Sequence, residues 1–334
     1  MSSIERDSVV FDANPIDDPT VIQVWRWTVG GGAAPVVSEP GMHHSVAGGG
    51  RIVVRSATLD ANGWTTRVLD GPTITSIAEP PLVDVNVRLL RLGQERIPTA
   101  IVLPRDGATD KLPVLLDPYG GPHAQRVISA RSAYYASQWL ADQGFAVVIA
   151  DGRGTPGRGT EWERAVFHDL AGPVLDDQIT ALHAAAEVEP RLDLSRVGIR
   201  GWSFGGYLAA LAVLRRPDVF HAAVAGAPVT EWRLYDTHYT ERCLGDPGID
   251  PVPYDRTSLL GLRPEIQRPI LLIHGLADDN VVAAHTLQLS SALLAAGHAH
   301  EVLPLSGVTH MTPQEVVAEN LLLAQVAFLR RTLA

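Results

Sequence analysis

A serine stands between glycines in the segment GWSFGG at 201–206. The preceding run, 196–200, alternates apolar with small or charged residues, which is typical of a short strand, and a helical pattern of apolar residues follows in 205–214. This strand–turn–helix order is the setting of a nucleophile elbow, a tight turn that holds the serine in a strained conformation. Without that setting the segment also fits a plain Gly-Ser turn. In the strand–turn–helix setting, we predict that Ser203 is a nucleophile and that the Phe204 backbone N–H is directed at a developing oxyanion.

An acid and a histidine follow the serine in the chain order serine, acid, histidine, which is the order of a catalytic triad built on a nucleophile elbow. Asp278 and Asp279 come shortly after the apolar run 270–273, and His310 follows the last predicted strand. His310 is predicted to take the proton of Ser203 as general base and to return it to the leaving group. One aspartate would fix the histidine tautomer, and spacing alone does not decide which of the two it is.

The other histidines have plainer expected roles. His274 precedes the acid in the chain, so it is predicted to shape the acid loop at the end of its strand. The remaining histidines lie in surface-type, helical or helix-flanking contexts, for which structural or solvated roles are expected.

One glycine-rich segment, 152–157, has the G-x-G-x-x-G spacing of a dinucleotide site after a predicted strand. Pro156 and the further Gly159 oppose a helix starting there, and Asp176 and Asp177 lie in a predicted amphipathic helix. Nucleotide binding is therefore not predicted. The chain has no H-E-x-x-H motif, and its late H-x-H pair lacks clustered partners. We expect neither a metal nor a cofactor.

Two regions of the chain differ in their patterns. Residues 1–82 are predicted to be an all-β domain of antiparallel hairpins, because Gly, Pro, Asn and Asp turns separate short strand-like runs. The runs lie at 9–11, 21–29, 51–54 and 64–69. The glycine clusters 30–32 and 48–50 indicate hairpin connections, because no helical segment follows either cluster.

In residues 83–334, apolar strands alternate with amphipathic helices, which predicts an α/β domain with a mostly parallel sheet covered on both faces. The eight predicted strands lie at 85–92, 97–103, 113–117, 146–151, 197–201, 222–227, 269–274 and 301–305. The predicted helices lie at 130–142, 174–187, 205–214, 283–296 and 313–333.

The composition is that of a soluble enzyme. A content of 46% hydrophobic residues allows a large core, and the formal net charge of −10 opposes nucleic acid as a partner. No apolar run is long enough to span a bilayer, and residues 1–7 lack the basic start and apolar core of a signal peptide. The single cysteine, Cys243, excludes an internal disulfide framework and indicates a reducing compartment. We therefore expect a cytoplasmic protein without membrane contacts.

Five segments together resemble the prolyl oligopeptidase family of serine peptidases, and within it the dipeptidyl peptidase IV type. They are GWSFGGY at 201–207, HGLADDNV at 274–281, LDPYGGP at 116–122, DGRG at 151–154 and WRLYDTHYTER at 232–242. The last of these is the most specific to that branch. The resemblance covers about 83–334 and implies an α/β-hydrolase fold.

The resemblance also implies roles for individual residues. Asp278, and not Asp279, would be the acid of the triad, and the Tyr119 hydroxyl would join the Phe204 N–H in the oxyanion hole. Asn280 would bind a substrate carbonyl. A compact pocket for a proline side chain would be lined by Phe204, Val229, Trp232, Tyr235, Tyr239 and Val281. Without the resemblance, the spacing of 232, 235 and 239 also fits one buried helix face and favours core packing.

The N-terminal region departs from the family, whose members carry a complete β-propeller. A blade takes about 40–45 residues, so residues 1–82 would form at most about two blades, resembling the end of a propeller. Open sheet edges would follow, so we expect a fragment of a longer protein or edge pairing with another chain, as in a homo-oligomer. The branch's glutamate pair for the substrate amino terminus is not identifiable. Phe204 and Cys243 stand where relatives often have tyrosine.

The sequence thus predicts a serine peptidase that cleaves short peptides after proline, a dipeptidyl peptidase IV-like aminopeptidase working through an acyl-enzyme on Ser203. An acylaminoacyl-peptidase or general esterase of the same fold is the alternative within the enzyme class. A catalytically silent scaffold that oligomerises through its β-edges is the alternative outside it. Peptide substrates are the expected partners.

Overall fold

The computed structural model describes residues 3–5, 7–107 and 110–334. Met1, Ser2 and Arg6, on which the expectation of a missing leader sequence partly rests, lie outside the described residues, as do 108 and 109.

The N-terminal region forms two four-stranded antiparallel sheets in sequential strand order. The first contains β1 Ser3–Glu5, β2 Ser8–Ala13, β3 Gln23–Thr28 and β4 Gly32–Val37. The second contains β5 Met42–Gly48, β6 Arg51–Ala57, β7 Thr65–Val68 and β8 Thr73–Ile74. Both predicted glycine hairpins are confirmed, since β3 pairs antiparallel with β4 and β5 with β6. Sequence patterns missed β1, β4, β5 and β8. The small and polar residues of β4 and β5 lack the alternation of a typical strand.

An eight-stranded sheet follows, in the order β16-β15-β14-β13-β11-β12-β10-β9. Its strands are β9 Val87–Leu92, β10 Ile97–Val102, β11 Leu112–Leu116, β12 Ala146–Ala150, β13 Leu192–Trp202, β14 Ala222–Gly226, β15 Ile270–Gly275 and β16 Glu301–Leu305. Every strand predicted for this region is confirmed. Strand β10 pairs antiparallel with its two neighbours, and the remaining pairs are parallel.

Helices cover both faces of this sheet. In the described part of the chain they are α1 Tyr135–Ala141, α2 Thr160–Arg164, α3 Gly172–Val188, α4 Phe204–Arg215, α5 Thr237–Leu244, α6 Val252–Thr257, α7 Ala284–Ala295 and α8 Glu315–Thr332. The five predicted helices are confirmed within a few residues, although α1 is preceded by a 3₁₀ turn and α8 begins two residues late. Sequence patterns missed α2, α5 and α6, which are too short for a helical periodicity to emerge.

The core lies on both sides of the sheet. Side chains of α3, α4 and α7 pack on one face, and those of α1 and α8 pack on the other. Strands β12, β14 and β15 are buried along their whole length. The carboxyl ends of the parallel strands share one edge, so the loops after β13, β15 and β16 lie close together there. Within the described ranges, no helix has both the length and the apolarity needed to cross a membrane.

Candidate active site

Ser203 lies in a strained turn between β13 and α4. Its φ of 59° and ψ of −119° place it in a region that residues with a Cβ rarely adopt. The neighbouring glycines allow the backbone segments around the turn to pass close to each other. A Cβ at Gly201 would overlap the Gly205 carbonyl, and a Cβ at Gly206 would overlap the Gly226 carbonyl. The Ser203 N–H donates to the Gly226 oxygen at 2.9 Å. The elbow geometry expected from the sequence is therefore present.

The structure distinguishes the two adjacent aspartates. The Asp278 side chain is fully buried (0% exposed), and its Oδ2 lies 2.8 Å from His310 Nδ1. Its Oδ1 accepts hydrogen bonds from the backbone N–H groups of Val281 at 2.8 Å and Asn280 at 3.0 Å. Asp279, by contrast, is exposed. Because Nδ1 of His310 donates to the carboxylate, the neutral ring keeps a lone pair on Nε2, which can accept a proton.

Two further contacts hold the acid and histidine loops. Trp202 Nε1 donates to the His310 carbonyl at 2.7 Å, which ties the histidine loop to the residue before the serine. His274 Nε2 donates to the Val281 carbonyl at 2.7 Å, so this histidine shapes the acid loop as predicted. The sequence predicts no separate role for Trp202 within the motif. Its one available signal was a large aromatic residue with a donor inside a tight turn.

These residues open onto one cavity of about 510 Å³. All of the predicted site residues line it except Asp278 and Val281, which are buried beside it. The lining also contains six residues that sequence reasoning did not assign: His123, Trp202, Asp236, His238, Arg242 and Met311.

Tyr119 and Phe204 meet beside the serine, with ring centroids 5.8 Å apart. Burial raises the pKa of the Tyr119 phenol to about 12, so the hydroxyl stays protonated and can donate without carrying a charge. Phe204 is the first residue of α4, so its backbone N–H has no acceptor within the helix. The pair presents the two types of donor that an oxyanion hole needs.

Three aromatic side chains, Trp232, Tyr235 and Tyr239, form what we call the aromatic patch. Trp232 and Tyr239 stack at 6.0 Å with planes 15° apart, and Tyr235 stands perpendicular to both. The patch does not lie on one helix, so that alternative is wrong. Trp232 starts a 3₁₀ turn, and Asp236 caps α5 by accepting from the Tyr239 N–H at 2.8 Å. Trp232 is 1% exposed, so it serves the core as well as the cavity wall.

The glycine-rich loop after β12 is closed on itself. Asp177 accepts from the Arg153 backbone N–H at 2.6 Å and forms an ion pair with its guanidinium at 2.7 Å. Asp177, the acidic residue that a ribose site would need, is therefore occupied by the loop's own arginine. Among the described residues, no group of three or more His, Cys, Asp or Glu side chains is placed to hold a metal ion.

A buried histidine beneath the site yields a prediction about stability. His285 is fully buried, and its Nδ1 accepts from the Thr230 N–H at 3.1 Å. Burial, and secondarily the neighbouring His274, lowers the pKa of His285 to about 4. In the unfolded chain this imidazole binds a proton near pH 6.5, whereas in the folded chain it does so only near pH 4. The folded state therefore keeps its full stability above about pH 6.5 and loses stability as the pH falls from there towards about 4.

We expect His285→Gln to flatten the pH dependence of the free energy of unfolding in this window, by up to about 1.4 kcal/mol per pH unit. Urea unfolding of both proteins between pH 4.5 and 7.5 measures the two slopes. Because the slopes are compared, a change in overall stability caused by the substitution does not matter. Identical slopes would contradict the prediction.

The fold and the site together define the class of this protein. A mostly parallel eight-stranded sheet, a serine on a strained elbow and a His–Asp pair on later strand ends are the features of an α/β-hydrolase. The chain belongs to the prolyl oligopeptidase family, whose model matches residues 131–334.

Individual relatives agree with this assignment. The chain is 40% identical to mouse dipeptidyl peptidase 8 over 197 residues, which are 58% of this chain and 22% of that protein. It is 36% identical to human prolyl endopeptidase FAP over 199 residues, or 59% and 26% of the two chains. The crystal structure of Porphyromonas gingivalis dipeptidyl peptidase 4 superimposes with a TM-score of 0.88 at 26% identity, covering 99% of this chain and 49% of that one. The matched region thus spans only about a quarter of these curated relatives and half of the solved chain.

Proposed function

We propose that this chain is a serine peptidase that cleaves short peptides after proline, with the selectivity of a dipeptidyl peptidase. One observation carries the proposal: a single cavity is lined by the strained Ser203, by His310 paired with a buried carboxylate, by the Tyr119 phenol and by the aromatic patch. The names of the similar proteins, dipeptidyl peptidases and a prolyl endopeptidase, support the same substrate class.

The proposed reaction begins when Ser203 Oγ attacks the carbonyl carbon of the scissile bond while His310 Nε2 takes its proton. The Tyr119 hydroxyl and the Phe204 N–H stabilise the oxyanion, and Asp278 stabilises the imidazolium. The C–N bond then breaks, and His310 gives its proton to the leaving amine. Water attacks the resulting ester with His310 again as base, which releases the acid and restores Ser203.

The wall of the cavity suits proline at the cleavage position. The aromatic patch and Val229 offer apolar surface without hydrogen-bond demands, and a pyrrolidine ring can bury its methylenes there. The Tyr235 hydroxyl donates to Asn280 Oδ1 at 3.3 Å, which leaves the Asn280 amide NH₂ to donate to a substrate carbonyl. Val281 does not line the cavity. It supports the site indirectly, because its backbone N–H donates to Asp278 and holds that carboxylate in place.

Removing the Tyr119 hydroxyl isolates its role. We expect Tyr119→Phe to lower kcat by about 10²–10³, the usual effect of losing one oxyanion-hole donor. The ring contact with Phe204 remains, so labelling of Ser203 by a small fluorophosphonate should still occur. Steady-state kinetics and labelling of the same preparation test this expectation, and an unchanged kcat would remove Tyr119 from the mechanism.

The proposed function is tested with a chromogenic Gly-Pro anilide and its amino-blocked counterpart, using this chain and its Ser203→Ala variant. Preference for the free amine, lost in the variant, supports a post-proline dipeptidyl site. Equal turnover of both substrates would favour the acylaminoacyl-peptidase or esterase alternative. Turnover of neither substrate, together with no fluorophosphonate labelling of folded protein, would overturn the proposal in favour of a silent scaffold.

We also propose a cytoplasmic location, supported by the single cysteine of the sequence. Cell fractionation with an antibody against the chain tests it, and enrichment in an oxidising compartment would contradict it.

A further inference from the structure

A second cavity of about 360 Å³ adjoins the catalytic one, and His123 and Arg242 line both. We call it the side cavity. Its apolar wall is formed by Pro122, Pro156, Val166, Phe167 and Cys243. Val166 and Cys243 are buried, whereas Phe167 is 50% exposed and stacks on the His168 ring at 4.0 Å. The cavity's size is within the usual range of ligand pockets, about 300–1,000 Å³.

Helix α5 connects the two cavities. Tyr239 faces the catalytic cavity within the aromatic patch, Cys243 one turn later lines the side cavity, and Arg242 contributes to both. Cys243 is 8% exposed, and burial raises the pKa of its thiol, so it acts as a small apolar side chain. A larger residue at this position would fill the side cavity.

The junction between the cavities has a strained backbone. His123 has a φ of 102°, and its ring lies 5.8 Å from that of Tyr239. Such conformations cluster at sites that clamp ligands. The adjacent Arg242 is exposed and has no ion-pair partner among the described residues, so its guanidinium is available to a substrate carbonyl.

The position of His310 gives the direction of the substrate. His310 protonates the leaving amine, so the leaving group lies beside it. His310 and Met311 line the catalytic cavity but not the side cavity, and the two cavities share His123 and Arg242. Because the leaving group lies beside His310, we place the side cavity on the acyl side of the substrate, where the residue preceding the proline lies.

We propose that the side cavity binds the side chain of the substrate residue that precedes the proline, and that it selects a large apolar side chain. This inference rests on the proposed function and deepens it. The rim carries two guanidinium groups, Arg164 and Arg242, beside one carboxylate, Glu163, so a basic substrate side chain is disfavoured.

Kinetics on four substrates test the selectivity: the Phe-Pro, Leu-Pro, Ala-Pro and Lys-Pro anilides, on the full chain. We expect kcat/KM for Phe-Pro and Leu-Pro to exceed that for Ala-Pro by at least about tenfold, with Lys-Pro the poorest. Cys243→Tyr, which fills the cavity, should bring the Phe-Pro to Ala-Pro ratio close to one. Cys243→Ser, which keeps the volume, should retain the ratio. A ratio that Cys243→Tyr does not change would overturn the proposal.

A second measurement does not depend on turnover. Cys243 is the only cysteine in the sequence, so its modification by methyl methanethiosulfonate reports on the side cavity alone. In the Ser203→Ala variant, saturating Phe-Pro dipeptide should slow that modification about tenfold relative to Ala-Pro dipeptide. Equal rates would overturn the side-chain assignment even if anilide hydrolysis succeeds. Protection without hydrolysis by the unmodified chain would instead place the failure in the proposed function.

Discussion

Ser203→Ala and His310→Ala should each lower kcat for Gly-Pro anilide by about 10⁶, and the double variant should lose little more. The serine forms the covalent bond and the histidine moves its proton, so removing either one abolishes the same step. Initial rates at matched concentrations of folded protein measure the effect. A double variant much slower than either single one would contradict action as a unit.

The structure provides a matched control for this prediction. Ser290 and His300 also form a serine–histidine pair, with Oγ and Nε2 2.7 Å apart. Neither residue lines the catalytic cavity, and Ser290 does not lie on the strained elbow. Ser290→Ala and His300→Ala should therefore keep kcat within about twofold of the parent, since surface and peripheral substitutions have small effects. Thermal unfolding of every variant separates lost chemistry from lost folding.

Asp278→Asn should lower kcat by about 10⁴, whereas Asp279→Asn should leave it within about twofold. An amide at position 278 can donate to His310 Nδ1, which favours the wrong tautomer and removes the charge that stabilises the imidazolium. Asp279 is exposed and has no such contact with the histidine. The neighbouring substitutions differ in one position and not in chemistry, so each is the control for the other.

The kcat values of both variants should be measured across the pH range. A wrong histidine tautomer lowers kcat at every pH, whereas a shifted histidine pKa lowers kcat only until the pH is changed to match it. Equal losses in the two variants would remove Asp278 from its assigned role. Such a result would also weaken the argument from burial, because the two carboxylates differ mainly in exposure and in their contact with His310.

The large strands and helices were predictable because their signals are local. The β12 sequence AVVIA is apolar throughout, as a strand buried on both faces must be, and 205–214 has helical spacing. The short α5 carries no such signal. It forms because Asp236 caps it and because Cys243 and Leu244 are buried in the core. Local patterns could not predict it, since its stability comes from tertiary packing.

The sequence by itself determined the elbow around Ser203 and the individual strands of the sheet, because each depends on residues close together in the chain. It also determined the order of serine, acid and histidine, which is read directly along the chain. Spacing left Asp278 and Asp279 equivalent and the family resemblance favoured Asp278, but only the tertiary structure showed its contact with His310. Only the tertiary structure joined Trp202 to the His310 carbonyl and placed Cys243 in a cavity beside the aromatic patch. These outcomes depend on strand order across the sheet and on which neighbouring carboxylate is withdrawn from water. Strand order and burial both arise from contacts between residues that are far apart in the sequence, so no local pattern encodes them.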